Sequence, residues 1–120
     1  MNSFQSKLKI KMDEYVHFIY KITENFPKSE IYGVTSQFRR STLSIILNYI
    51  EGYARKRPLL KLNFIEISYG SLKESKYLLY FSFKENYINE EIYKTGNTMA
   101  EEIGAMLWTE MSNLEKNIKK

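Results

Sequence analysis

The chain has 120 residues, 43% of them apolar and 27% charged, with a formal charge of +4 at pH 7. That suits one domain and is too apolar for a disordered chain, and with no cysteine it can hold no disulfide, thiolate metal site or cysteine nucleophile. No apolar run approaches the ~20 residues needed to cross a bilayer, and the opening MNSFQSKLKIKMDEY alternates charged and apolar residues unlike a signal peptide, so a cytoplasmic protein with no membrane partner is expected.

Two prolines and five glycines leave room for long helices, and hairpin signals such as Asn-Gly are missing. The first helix is predicted over residues 3–25. Its residues Leu8, Met12, Tyr15, Ile19, Ile22 and Phe26 follow the alternating four- and three-residue spacing of helices packed at shallow angles. Pro27 stops it. The second helix, 34–56, carries Val34, Phe38 and Ile45 on one stripe, continued by Ser41, Asn48 and Gly52. Small and polar residues at such positions admit a close neighbour, and a buried Asn48 would need hydrogen-bond partners. Pro58 opens the third helix, 59–84, whose main stripe is Ile65, Tyr69, Leu72, Leu79 and Phe83. Its run from Tyr77 to Phe83 is apolar nearly all round, so Tyr77, Leu78, Tyr80 and Phe81 are expected to meet another subunit. Asn89 caps the fourth helix, 90–118, with Glu90 and Glu91 in its first turn and an apolar face of Ile92, Met99, Ile103, Met106, Leu107, Leu114 and Ile118. Four helices with short connectors predict an all-α, antiparallel up-down-up-down four-helix bundle spanning residues 1–120 as one domain.

Catalytic chemistry is hard to find. His17 is the only histidine, so the paired Glu-x-x-His motifs of a helical di-metal site cannot be built. The pairs Glu90-Glu91 and Glu101-Glu102 are adjacent in sequence, so on a helix their members diverge. Gly70, Gly96 and Gly104 are isolated within helices and are assigned to close helix packing; no phosphate-cradling loop is present. No catalytic residue, metal site or cofactor is expected.

Charge is unevenly distributed. Between Lys28 and Lys61 lie the bases Arg39, Arg40, Arg55, Lys56 and Arg57, offset only by Glu30 and Glu51; from Glu85 to Glu115 acids dominate and Lys94 is the one base. Two explanations stand: complementary charge between neighbouring helices or subunits, or a basic surface for phosphate formed by Arg39, Arg40, Arg55, Lys56, Arg57 and Lys61. Residues sixteen apart, such as Arg39 and Arg55, differ by roughly 160° around a helix, so these bases form two patches. A structural alternative places Arg40, Asn48 and Glu51 in a polar cluster that holds helix or subunit register.

Phe26-Pro27, Glu30, Tyr32-Gly33, Thr35-Ser36-Gln37, Arg39-Arg40, Ser44-Ile45, Asn48, Glu51-Gly52 and Arg55, followed by Phe64, Gly70-Ser71 and Glu74, together resemble the four-helix bundle family of 23S ribosomal RNA intervening-sequence proteins. The chain departs from that pattern at Ile46, where proline is frequent, at Tyr49-Ile50, in place of Ile-Ala, and at Ser75, where leucine is common. The resemblance implies a bacterial protein without enzymatic activity. It extends to the accessory variability proteins of diversity-generating retroelements, ring-shaped pentamers that bind a reverse transcriptase and nucleic acid. By that resemblance the expected partners are further copies of the chain, as a homopentamer, and RNA, DNA or a nucleic-acid-processing protein. Arg39, Arg40, Asn48, Glu51, Gly52 and Arg55 are the positions it marks. A protein-interaction scaffold without nucleic-acid contact is the competing expectation.

Overall fold

A computed structural model describes residues 1–119. Its helices are α1 (Ser3–Thr23), α2 (Val34–Tyr53), α3 (Pro58–Lys84) and α4 (Glu90–Lys119), with one turn of 3-10 helix at Lys28–Glu30 between α1 and α2. There is no strand among the described residues, as the four-helix bundle expectation requires. Each helix packs on its neighbours in sequence and α1 closes the ring against α4, while the diagonal pairs stay apart. The result is a rod of 49 × 25 × 20 Å.

Local chemistry sets the helix ends. Asn2 and Gln5 form a reciprocal capping box at the start of α1, with the Asn2 side chain accepting from the Gln5 N–H at 2.9 Å and the Gln5 side chain accepting from the Asn2 N–H at 3.0 Å. α1 stops at Thr23, two residues short of the expected end. The Thr23 hydroxyl turns back onto the carbonyls of Ile19 and Tyr20, and the chain then bends toward extended Pro27. α2 likewise ends three residues early, because Arg57 must be extended (φ −82°, ψ 129°) ahead of Pro58 and the intervening residues make the turn. α3 closes with Asn86 in the left-handed region at φ 63°. The Tyr87 N–H reaches the Ser82 carbonyl and the Asn86 N–H the Phe83 carbonyl, as in a Schellman stop. Asn89 then caps α4 by accepting from the Ile92 N–H at 2.8 Å.

The expected stripes form the core. Leu8, Met12, Tyr15 and Ile19 of α1, Phe38, Ile45 and Tyr49 of α2, Ile65, Leu72 and Leu79 of α3, and Ile103 and Leu107 of α4 are almost wholly inaccessible. Ile118, expected on the apolar face of α4, is exposed near the end of the helix. The core is studded with hydroxyls. Ser75 bonds both Tyr15 (3.1 Å) and Thr42 (2.7 Å), and Ser68 donates to the Ile45 carbonyl at 2.6 Å. Burying a hydroxyl is tolerated because each has a partner. This explains the serine at position 75: a leucine there would leave the buried Tyr15 hydroxyl without its mate.

The glycines divide. A Cβ on Gly52 would lie 3.2 Å from the Phe64 Cβ and 3.3 Å from the Lys61 carbonyl oxygen, and one on Gly96 would lie 3.0 Å from atoms of Leu79 and Phe18. These are close helix approaches. Gly70, assigned from sequence to the same role, faces open space: a methyl group added there would have nothing within 4 Å. Its row on α3 points outward, so packing does not require it.

Candidate nucleic-acid interface

Adjacent in sequence, Arg39 and Arg40 leave α2 in different directions. Arg39 turns to α1, donating from Nε to Thr23 Oγ1 at 2.8 Å and from a terminal nitrogen to the Tyr20 carbonyl at 3.3 Å, with its guanidinium 4.8 Å from the Tyr20 ring centroid. It is a half-buried tie between two helices. Arg40 is exposed on the other side, lining a polar groove of about 350 Å³ between α2 and α3 with Gln37, Ser41, Ser44, Ser71 and Glu74.

The proposed register cluster of Arg40, Asn48 and Glu51 does not form within the chain. Eleven residues of helix separate Arg40 from Glu51 by ~16 Å, and each finds a nearer environment. Asn48 donates to the Ser44 carbonyl (2.9 Å) and hydroxyl (2.8 Å), and Ser44 bonds Ser71 across the groove at 2.9 Å. Glu51 pairs with Arg55 one turn on. Gly52 supplies the close approach of α2 to α3 described above.

Antiparallel packing gathers basic residues that are far apart in sequence. Gln5 near the start of α1 donates to the Tyr53 hydroxyl at the end of α2 (2.8 Å), and Tyr53 in turn donates to Glu110 on α4 (2.6 Å). The start of α1, the α2–α3 turn and the end of α4 therefore share one end of the rod. At that end stand exposed Lys7 and Lys9, exposed Lys56 and Arg57, and exposed Lys116 and Lys119. Arg55 and Lys61 are half-buried beside them, Arg55 with its guanidinium 5.1 Å from the Phe64 ring centroid and Lys61 with its ammonium 5.2 Å from that of Tyr53. The buried Arg55 Nε has no hydrogen-bond partner among the described residues. Arg39 and Arg40 lie further along the rod and do not belong to this end.

Behind the basic end sits a buried carboxylate that sequence reasoning passed over. Glu110 is only 7% exposed, and its two oxygens accept from Tyr49 (2.7 Å) and Tyr53 (2.6 Å). Burial, reinforced by the bonds to Glu110, pushes both tyrosine hydroxyls well above the ordinary tyrosine range. The available signal is Tyr49 on the core side of α2, a polar-tipped residue that needs a partner when buried. Glu101 and Glu102 pair instead with Lys76 of α3 and Lys11 of α1. These two acids of α4 are thus answered inside the chain by bases other than those between Lys28 and Lys61.

The apolar segment of α3 is split. Leu78 is 7% exposed and part of the core, so its side chain is not available to a partner, and Phe81 is half-buried. Tyr77 and Tyr80 are exposed, their ring centroids 6.4 Å apart, and Tyr80 also meets Tyr93 of α4 edge-on at 6.3 Å. Leu43, Leu47 and Ile50, on one stripe of α2, and Leu60 and Ile67 of α3 are also exposed, a feature not anticipated from the sequence.

Residues 6–109 match the family described as 23S rRNA-intervening sequence protein. A solved structure of similar form is that of a protein with unknown function from the S23 ribosomal protein family of Bacteroides thetaiotaomicron VPI-5482. It is 25% identical, with a TM-score of 0.78, and the match covers 87% of this chain and 97% of that one. No curated protein matches the chain. Neither the family nor the structural neighbour is described by an enzymatic activity. No helix among the described residues is long and apolar enough to cross a membrane. With more than half of its length matched and its four helices in place, the chain belongs to the 23S rRNA-intervening sequence protein family.

Proposed function

We propose that the chain is a non-catalytic, homo-oligomeric binding protein that takes RNA, or an enzyme acting on nucleic acid, through its basic end. The observation that carries this reading is the convergence of Lys7, Lys9, Arg55, Lys56, Arg57, Lys61, Lys116 and Lys119 on one end of the rod. Cations that neutralise phosphates release counterions, so affinity from such an end falls steeply with salt. The family's tie to 23S ribosomal RNA supports RNA over DNA. Assembly is supported by the exposed aliphatic area of Leu43, Leu47, Ile50, Leu60 and Ile67, and by Tyr77 and Tyr80.

Retention of a structured RNA by the oligomer at low salt, declining linearly in log affinity against log salt, is the expected outcome. Absence of retention at low salt, with the oligomer intact by light scattering, contradicts the reading. The alternative, a scaffold for proteins alone, is favoured by the same exposed apolar areas and predicts that result.

A further inference from the structure

A second surface, on the outer face of α3 and α4, borders the basic end, its Glu115 directly preceding Lys116. Trp108, the only tryptophan of the chain, is 60% exposed there. Its ring centroid is 5.7 Å from that of Tyr69, with the planes tilted at 50°. The two rings wall a groove of about 330 Å³ that Glu66 and Glu115 also line. Glu66, Tyr69 and Gly70 form one outward row of α3, and Trp108, Ser112 and Glu115 the facing row of α4. Gly70 adds no side chain, and the space above it is empty.

The charge of this groove is opposite to that of the molecule. The protein carries a formal +4, yet the ionisable side chains lining the groove beside Tyr69 are two carboxylates. Both are exposed, and neither is in an ion pair among the described residues. The aromatic wall already attracts cations: the Lys73 ammonium sits 5.1 Å from the Tyr69 ring centroid. Lys73 belongs to the neighbouring depression on the other side of Trp108, with Lys76 and Glu101, and leaves the Glu66–Glu115 side open.

An indole flanked by carboxylates is matched by a guanidinium. The planar cation stacks on the ring face while its N–H fork donates to carboxylate oxygens. Phosphate is repelled by the same two acids. We infer that the Trp108–Tyr69 groove is a docking site for an arginine-bearing segment of a protein partner. Arginine is favoured over lysine because the tilted aromatic wall offers a flat face and the two acids offer acceptors at its rim. This site is independent of the phosphate reading of the basic end and would stand if that reading fell.

Trp108 makes the test direct, because it is the only tryptophan and walls this groove, and the Glu66 and Glu115 variants separate this side from the Lys73 side. A fluorescein-labelled arginine hexapeptide is titrated against the oligomer at low salt and followed by anisotropy, and an unlabelled copy is followed by Trp108 emission. A lysine hexapeptide and a uridine oligonucleotide serve as alternatives. The expected result is saturable binding of the arginine peptide with a coincident change in Trp108 emission, weaker for the lysine peptide. The double variant Glu66→Gln/Glu115→Gln, exposed at both positions, should weaken binding on the order of tenfold with unchanged helicity. Trp108→Leu, read by anisotropy, should weaken it as well. Binding without an emission change, or undiminished binding by the glutamine variant, overturns the proposal. A Trp108 response to the oligonucleotide and none to the peptide overturns it in favour of a base-stacking surface.

Discussion

Glu110 shows how a single residue can be both expensive to bury and structurally necessary. Its oxygens are answered by two tyrosine hydroxyls, with no cation at hydrogen-bonding distance among the described residues. Removing one donor should expose the asymmetry of buried hydrogen bonds: Tyr49→Phe leaves a carboxylate oxygen unsatisfied and should cost about 1–3 kcal/mol in urea denaturation. Tyr49→Phe combined with Glu110→Leu should cost less than the sum of the two single changes, because the partners are lost together. Strict additivity would show that the two side chains do not share one network. The tyrosines also set the alkaline limit. Burial pushes Tyr15 up to about 12, and Tyr49 and Tyr53 are raised further by burial and by Glu110. A group whose folded pKa is raised gives stability that is complete below its unfolded value, near 10 for tyrosine. That stability is lost as pH climbs toward the folded value. Absorbance titration should therefore show Tyr15, Tyr49 and Tyr53 ionising late together with loss of helicity, and Tyr87, raised by its hydrogen bond to Glu30, also above the ordinary range. Ionisation of all ten tyrosines near pH 10 with the fold intact would contradict this.

At the scale of helices, two glycines of similar appearance in sequence are predicted to respond with opposite signs. Gly52→Ala forces α2 away from Phe64 and the Lys61 carbonyl and should destabilise by about 1–3 kcal/mol. Gly70→Ala meets nothing and should stabilise α3 by up to about 1 kcal/mol through helix propensity. Urea midpoints of the two variants check both. The pair also marks what the sequence can convey. Helix existence, order and core stripes are readable from the spacing of Leu8, Met12, Tyr15 and Ile19 and its counterparts, from the cap at Asn89 and from Pro58 at the first position of α3. Gly70 is misread because local sequence says that a helix contains glycine but not which way its row faces. Glu110 escapes notice for a related reason: in α4 it is one acid among many, and only the register against Tyr49 and Tyr53 separates it from the solvated ones. The split of Arg39 from Arg40 depends on which flank of α2 meets α1 and which meets α3.

The whole molecule adds what no element contains. Lys7, Arg57 and Lys119 are separated by most of the chain and share one end of the rod only because the bundle is antiparallel. The proposed self-association belongs to this scale too. Leu47→Glu, placed on the exposed aliphatic area, should reduce the oligomer toward monomer by light scattering, with helicity kept. An unchanged mass would move the interface to Tyr77 and Tyr80. The central claim is that the basic end holds phosphate, and salt dependence of RNA affinity tests it most directly. Lys56→Gln/Arg57→Gln at the basic end should be compared with Lys28→Gln/Lys84→Gln at the opposite end. The first pair should lower the slope of log affinity against log salt by roughly 1 per removed cation, while the second leaves it unchanged. Equal slopes for the wild type and both variants would contradict the account.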